Sequence, residues 1–180
     1  ILDTISWAVN RMCKGEIEQV IKGQDMTICE EEYLSYIKDK TAIFMSACCK
    51  MGALLGELSD ERFNALADYG VNLGMAFQLT DDILDLTGDE KDLGKPVGND
   101  MQGSKFTLPV IYALQSLGDR EQEELKKKMK LLTRDKEESG GIKDLLQRCG
   151  AIYYCFQKAQ EYCHLAKKRL EGLDDSPAKS

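Results

Sequence analysis

Four polar side chains sit inside one of the more apolar stretches of the chain, and their spacing dictates the local fold. Phe77-Gln78-Leu79-Thr80-Asp81-Asp82-Ile83-Leu84-Asp85 places Gln78, Asp81, Asp82 and Asp85 at i, i+3, i+4 and i+7. On an α-helix this gathers one amide and three carboxylates on one face. Phe77, Leu79, Ile83, Leu84 and Leu86 are apolar, so the same helix has a surface to pack. Like charges three and four apart repel by roughly a few tenths of a kcal/mol per exposed pair, and by more when desolvated. A packed helix that collects acids in this way calls for a compensating cation. Hard oxygen ligands suit Mg²⁺, which takes one or two carboxylates together with waters and substrate phosphates. Taken alone, the acidic triplet also fits a solvated charged stripe.

The following segment separates these readings. Gly94-Lys95-Pro96-Val97-Gly98-Asn99-Asp100 is a loop by its glycine and proline content, and Gly103-Ser104-Lys105-Phe106-Thr107-Leu108-Pro109 leads into an apolar helical stretch. Lysine acts as a point charge on phosphate oxygens, and glycine lets backbone N–H groups approach an anion. Two such lysines shortly after three carboxylates fit a site for metal and phosphate together.

These motifs resemble the second aspartate-rich region of the trans-isoprenyl diphosphate synthases, in their polyprenyl branch. DDxxD, GKPxGxD and K-x-T-L-P occur in order and at the family's spacing. The resemblance extends over essentially all 180 residues. Met12 to Gln19 is similar to a GE-containing helix, Tyr33 to Thr41 to a Y…KTA segment, and Leu173 to Lys179 to a stretch near the family's C-terminus. The fold this implies is all-α, an isoprenoid-synthase-type helical bundle, with residues 1–180 the C-terminal portion of a single prenyltransferase domain. The family's first aspartate-rich motif and its arginine pair have no counterpart here: the sequence holds no second DDxxD and no Arg-Arg. The expectation is that this chain is part of a longer enzyme, and that alone it neither elongates prenyl diphosphates nor covers the apolar faces around Phe44 and Phe77.

The resemblance implies a head-to-tail prenyl transfer, in which an allylic diphosphate ionises and isopentenyl diphosphate attacks the cation. Asp81 and Asp82 would hold Mg²⁺ against the allylic diphosphate, with Asp85 a third carboxylate. Lys40 and Lys95 would contact the same diphosphate, and Lys105 corresponds to the second loop lysine. Thr41 and Gln78 would present neutral oxygens to the cationic carbon. Ser104 stands where the family has glycine. A homodimer or heterodimer is implied for the full-length enzyme. Three alternatives stay open: a split subunit whose partner carries the first acidic motif, a diphosphate-binding module without turnover, and a terpene cyclase of related helical fold.

Composition narrows the partners. A net charge of −7 argues against nucleic acid, whose phosphate backbone needs a basic surface. No run of 18 apolar residues marks a membrane-spanning helix. The seven cysteines are odd in number and lack C-x-x-C, so neither a disulfide framework nor a zinc site is indicated, and a reducing cytoplasm is the natural compartment. Cys48, Cys49 and Cys155 read as small core residues, and His164 as an ordinary surface histidine.

Along the chain, helices are expected from Ile1 to about Gln19, from Thr27 or Glu30 to Leu55, from Ser59 as N-cap into the acidic face, from Pro109 onward, and from Leu145 to about Leu170. Breaks fall at Gly23-Gln24-Asp25, at Gly56, across a loop from Thr87 to Gln102, and at Ser139-Gly140-Gly141, read as a flexible joint. Gly70 and Gly74 read as close-packing positions. Phe44, Met45 and Phe77 read as core, with the lining of a product pocket as the other role. Lys126-Lys127-Lys128 reads as a solvated face.

Overall fold

The computed structural model describes residues 1–88, 105–132 and 139–179. Every regular element among them is helical: α1 (Leu2–Lys22), α2 (Glu30–Ile37), a π-helical turn (Lys38–Ala42), α3 (Ile43–Leu55), α4 (Asp60–Thr87), α5 (Leu108–Ser116), α6 (Asp119–Leu132), α7 (Ser139–Arg148) and α8 (Ala151–Arg169). The Gly94–Asp100 motif, Lys95, Ser104 and the greater part of the expected 87–102 loop lie outside the described residues.

Local chemistry sets the helix ends. Gly56 caps α3, Pro109 stands in the first turn of α5 where its missing N–H costs nothing, and Glu30, Glu31 and Glu32 fill the first turn of α2, where negative charge opposes the helix dipole favourably. Two expectations fail near the C-terminus. Gly150, at φ +77°, breaks the long helix expected from Leu145 into α7 and α8, since a left-handed residue cannot continue an α-helix. Ser139-Gly140-Gly141 opens α7 instead of forming a joint. A Cβ added at Gly141 would come within 2.8 Å of the Lys128 Nζ, so this glycine admits the lysine stem beside the helix.

The described chain forms two compact units. The first holds residues 1–17, 34–78 and 159–180. Ala8, Ile43 and Ala47 form a buried cluster in it, and Tyr36, Ile37 and Ala42 are buried as well. Its closest packing is at glycine. A Cβ on Gly70 would meet the Ser46 Cα at 2.6 Å, and one on Gly74 the Ala42 Cα at 2.4 Å. The Ser46 hydroxyl, buried in this contact, donates to the Ala67 carbonyl at 2.9 Å. Close packing is therefore the role of both glycines. Phe44 and Phe77 are not core: each exposes more than half of its surface. Met45 is half-buried, Cys48 is exposed and Cys49 intermediate, so of the three cysteines read as core only Cys155, in the second unit, is buried.

The second unit holds residues 18–33 and 79–158. Leu79, Phe106, Leu108, Ile111, Leu125, Met129, Ile142, Leu145 and Leu146 are buried in it. Lys126 and Lys128 pair with Glu123 and Glu124 one turn earlier, as a solvated face would. Glu30 is bridged on two sides, by the Tyr154 hydroxyl at 2.7 Å and by Lys158 at 3.0 Å, while Tyr154 stacks on Tyr112 with ring centroids 4.3 Å apart.

Two predictions follow from this packing. Gly74→Ala should destabilise the protein by about 1–3 kcal/mol through overpacking, although helix propensity alone would favour alanine by about 1 kcal/mol. Urea denaturation decides the sign, and a stabilised variant would show that the helices separate easily. The second concerns alkaline pH. Burial, then the charges of Asp82 and Glu30, push the Cys155 thiol above its ordinary 9.0. Burial and the hydrogen bond to Glu30 raise the Tyr154 phenol above 10.0. Burial opposes the Lys158 charge, but its bonds to Glu30 and Tyr154 prevail and hold the ammonium above 10.5. Each group binds its proton more tightly in the folded chain, so its contribution is complete below its ordinary value and is lost as pH rises through the folded one. The urea midpoint should fall above about pH 9, and fall less in Glu30→Gln.

Candidate functional site

The acidic face forms on α4 as its period requires, but its three carboxylates have different surroundings. Asp82 and Asp85 are 3% and 5% exposed, whereas Asp81 is only partly buried. Tyr33, fully buried on the first turn of α2, donates its hydroxyl to Asp82 Oδ2 at 2.5 Å. A short charge-assisted bond of this kind is among the stronger polar contacts in a protein. The start of α2 is itself tied down: Glu32 pairs with Lys22 at 2.8 Å and accepts from the Cys29 amide at 3.3 Å. Beyond the acids, Lys143 donates to the Thr87 carbonyl at 3.3 Å, placing a cation at the negative end of α4.

Lys105 lies in the same unit and is half-buried. The residue after it is anchored: the Phe106 amide donates to the Gly23 carbonyl at 2.7 Å, and Phe106, Thr107 and Leu108 are all buried. The break at Gly23 thus supplies the acceptor that fixes the backbone next to Lys105.

In the first unit the π-helical turn carries Lys40 and Thr41. The Ile43 amide donates to the Lys38 carbonyl, five residues back, which is the bond that defines this turn. Thr41 Oγ1 donates to Gln78 Oε1 at 2.7 Å, so the two neutral dipoles named from the sequence meet. Lys40 pairs with Glu16 at 3.0 Å. The π turn, the Glu16 partner and the Tyr33 hydroxyl were not anticipated as parts of the site. The one signal for them was that Glu16 and Tyr33 lie inside the segments that carry the family resemblance.

The donor set fits Mg²⁺ as an incomplete ligand shell. Its oxygens are hard carboxylates, that of Asp81 the least buried, and Mg²⁺ characteristically completes its octahedron with waters and phosphate oxygens. Among the described residues no three His, Cys, Asp or Glu side chains converge to hold an ion by themselves. The buried Asp82, with a tyrosine proton on one oxygen, is the carboxylate whose position is most fixed.

Comparison with known proteins bears on the chain as a whole. The family described as Polyprenyl synthetase matches residues 1–149. A short chain isoprenyl diphosphate synthase of Methanothermobacter thermautotrophicus is 36% identical over 170 residues, 94% of this chain and 51% of that protein. Heptaprenyl diphosphate synthase component 2 of Bacillus subtilis is 33% identical over 98% of this chain and 49% of its own length. Among solved structures, the polyprenyl synthase from Caulobacter crescentus CB15 complexed with calcium and isoprenyl diphosphate superposes with a TM-score of 0.89 at 32% identity, covering 94% of this chain and 52% of that one. The chain spans about half the length of the curated relatives it matches. The all-α isoprenoid-synthase fold is the fold of these structures.

The inequality of the acids is testable. Asp81→Ala should cost less than Asp82→Ala, since Asp81 is only partly buried. Asp82→Ala should cost about 1–3 kcal/mol, because it leaves the buried Tyr33 hydroxyl without its acceptor. Equal urea midpoints for the two variants would mean that the Tyr33–Asp82 bond contributes nothing to the fold.

Proposed function

Because the chain belongs to the polyprenyl synthetase family, we propose that it carries the second acidic motif of a Mg²⁺-dependent trans-prenyltransferase. The reaction condenses isopentenyl diphosphate with an allylic prenyl diphosphate to a longer polyprenyl diphosphate and releases pyrophosphate. The observation that carries this reading is the acidic face of α4, where Asp81 is partly exposed, Asp82 and Asp85 are buried and Asp82 accepts from Tyr33.

In this reading Asp81, Asp82 and Asp85 serve the metal, with Asp81 the carboxylate most open to it. Mg²⁺, when bound, neutralises charge on the departing diphosphate. Lys40, Lys95 and Lys105 contact diphosphate oxygens as mobile point charges. Lys40 exchanges its partner Glu16 for phosphate when substrate arrives. Thr41 and Gln78 stabilise the allylic cation with neutral dipoles, which ease positive charge without capturing it. The seven cysteines of the described chain are all free, in keeping with a proposed cytoplasmic setting. No helix among the described residues is long and apolar enough to cross a membrane.

A second reading gives the chain a partner subunit. It is favoured by the relative named as a component 2. Both readings share the same acidic motif.

Calorimetric titration with inorganic pyrophosphate tests the motif. Binding should be strong with Mg²⁺ and weak without it, and Asp81→Ala should weaken the Mg²⁺-dependent binding by about tenfold or more, a loss of about 1.4 kcal/mol. Binding of undiminished strength in the absence of metal would overturn the proposal.

A further inference from the structure

The π-helical turn is held by a charge that the proposed chemistry does not use. Asp39 lies inside it, with a side chain 1% exposed, so its carboxylate is out of reach of any ligand in solvent. It accepts from Arg11 Nε at 2.9 Å and also from Arg11 Nη2, and Lys14 approaches its other oxygen at 3.5 Å. The next residue of the turn is Lys40. There the backbones of α1 and the turn touch: a Cβ on Gly15 would lie 2.3 Å from the Lys40 nitrogen and 2.8 Å from the Asp39 carbonyl carbon. One residue further along α1, Glu16 pairs with the Lys40 ammonium. Thus a buried ion pair, a glycine contact and a surface ion pair all fix the backbone and side chain at positions 39 and 40.

We infer that Arg11 and Asp39 are positioning residues for Lys40 and Thr41, an inference that rests on the diphosphate role proposed for Lys40. A π turn is rarely adopted for its own stability and occurs mostly at functional sites. An isolated buried carboxylate is costly unless it is both paired and hydrogen-bonded. Here the guanidinium meets that requirement only when α1 and the turn stand at one separation, because its fork is planar and rigid. The same separation sets Lys40 above Gly15, and leaves the Thr41 hydroxyl at bonding distance from Gln78. Arg11 therefore acts on the site through the backbone it holds.

The test is a double-mutant cycle on the 180-residue chain, with Arg11→Met and Lys40→Ala, read by calorimetry of Mg²⁺ with inorganic pyrophosphate. Arg11→Met should weaken binding by about fivefold when Lys40 is present and by less than about twofold when it is absent, as expected for coupled sites. Arg11→Lys, which keeps the charge and loses the fork, should fall between the wild type and Arg11→Met while melting close to the wild type. It serves in the cycle where Arg11→Met fails to fold. Equal weakening in both backgrounds would make Arg11 a general stabiliser and overturn the inference. Loss of binding in Lys40→Ala with none in either Arg11 variant would overturn it and leave the role of Lys40 standing. No loss in Lys40→Ala would remove the role of Lys40, and the inference with it.

Discussion

The close approach of α4 to the turn and helix around residues 41–46 is the constraint on which the first unit depends. Three contacts follow one another along α4 at intervals of four residues. Gly70 lies against Ser46, Gly74 against Ala42, and Gln78 bonds Thr41. Four-residue spacing is one ridge of a helix surface, so a single row of α4 does all three jobs. The first two positions need the absence of a Cβ. The third can then present a polar side chain at hydrogen-bond distance, because the backbones have already been brought together. Glycine here lowers helix propensity by about 1 kcal/mol per residue, a cost offset by the packing and by the Ser46–Ala67 bond that it permits.

Buried acids are the second organising theme, and the two units treat them alike. Asp39 is enclosed by Arg11 and Lys14; Asp82 is held by Tyr33. Removing a carboxylate from water is tolerated only where donors replace the lost hydration. In both cases the donor comes from a different helix, so the bond also fixes where that helix stands. The donors differ in kind. A guanidinium meets the charge of Asp39, whereas a phenol supplies a hydrogen bond to Asp82.

The order and type of the helices were legible in the sequence because apolar period, glycine breaks and the position of Pro109 all act locally. Gly56, Gly23 and Pro109 stand where those rules put them. What escaped was set at a distance. The π turn has no local signature in Lys38-Asp39-Lys40-Thr41-Ala42, and the partner of its buried acid, Arg11, lies 28 residues earlier. Tyr33 and Asp82 are 49 residues apart. Gly141 reads as a joint, yet it opens a helix with the Lys128 ammonium close by, and Gly150 is a stop inside a helical pattern. Phe44, Phe77 and Cys48 read as core by hydrophobicity alone. An apolar residue on an amphipathic helix is buried only if something covers its face, and the sequence of one segment does not say what does.

The acidic motif shows how a helix divides the work within five residues. Consecutive residues point about 100° apart, so Asp81 and Asp82 cannot face the same way. Asp85 points between them, about 40° from Asp81 and about 60° from Asp82, and is buried as Asp82 is. Asp81 is turned toward the more open face. The adjacent acids are therefore two groups with separate surroundings: Asp82 is buried and accepts from Tyr33, whereas Asp81 is only partly buried. The three carboxylates repel one another, and their negative potentials add. A packed helix can hold such a potential only because Tyr33 and the surrounding apolar residues keep α4 in place while the charges oppose it.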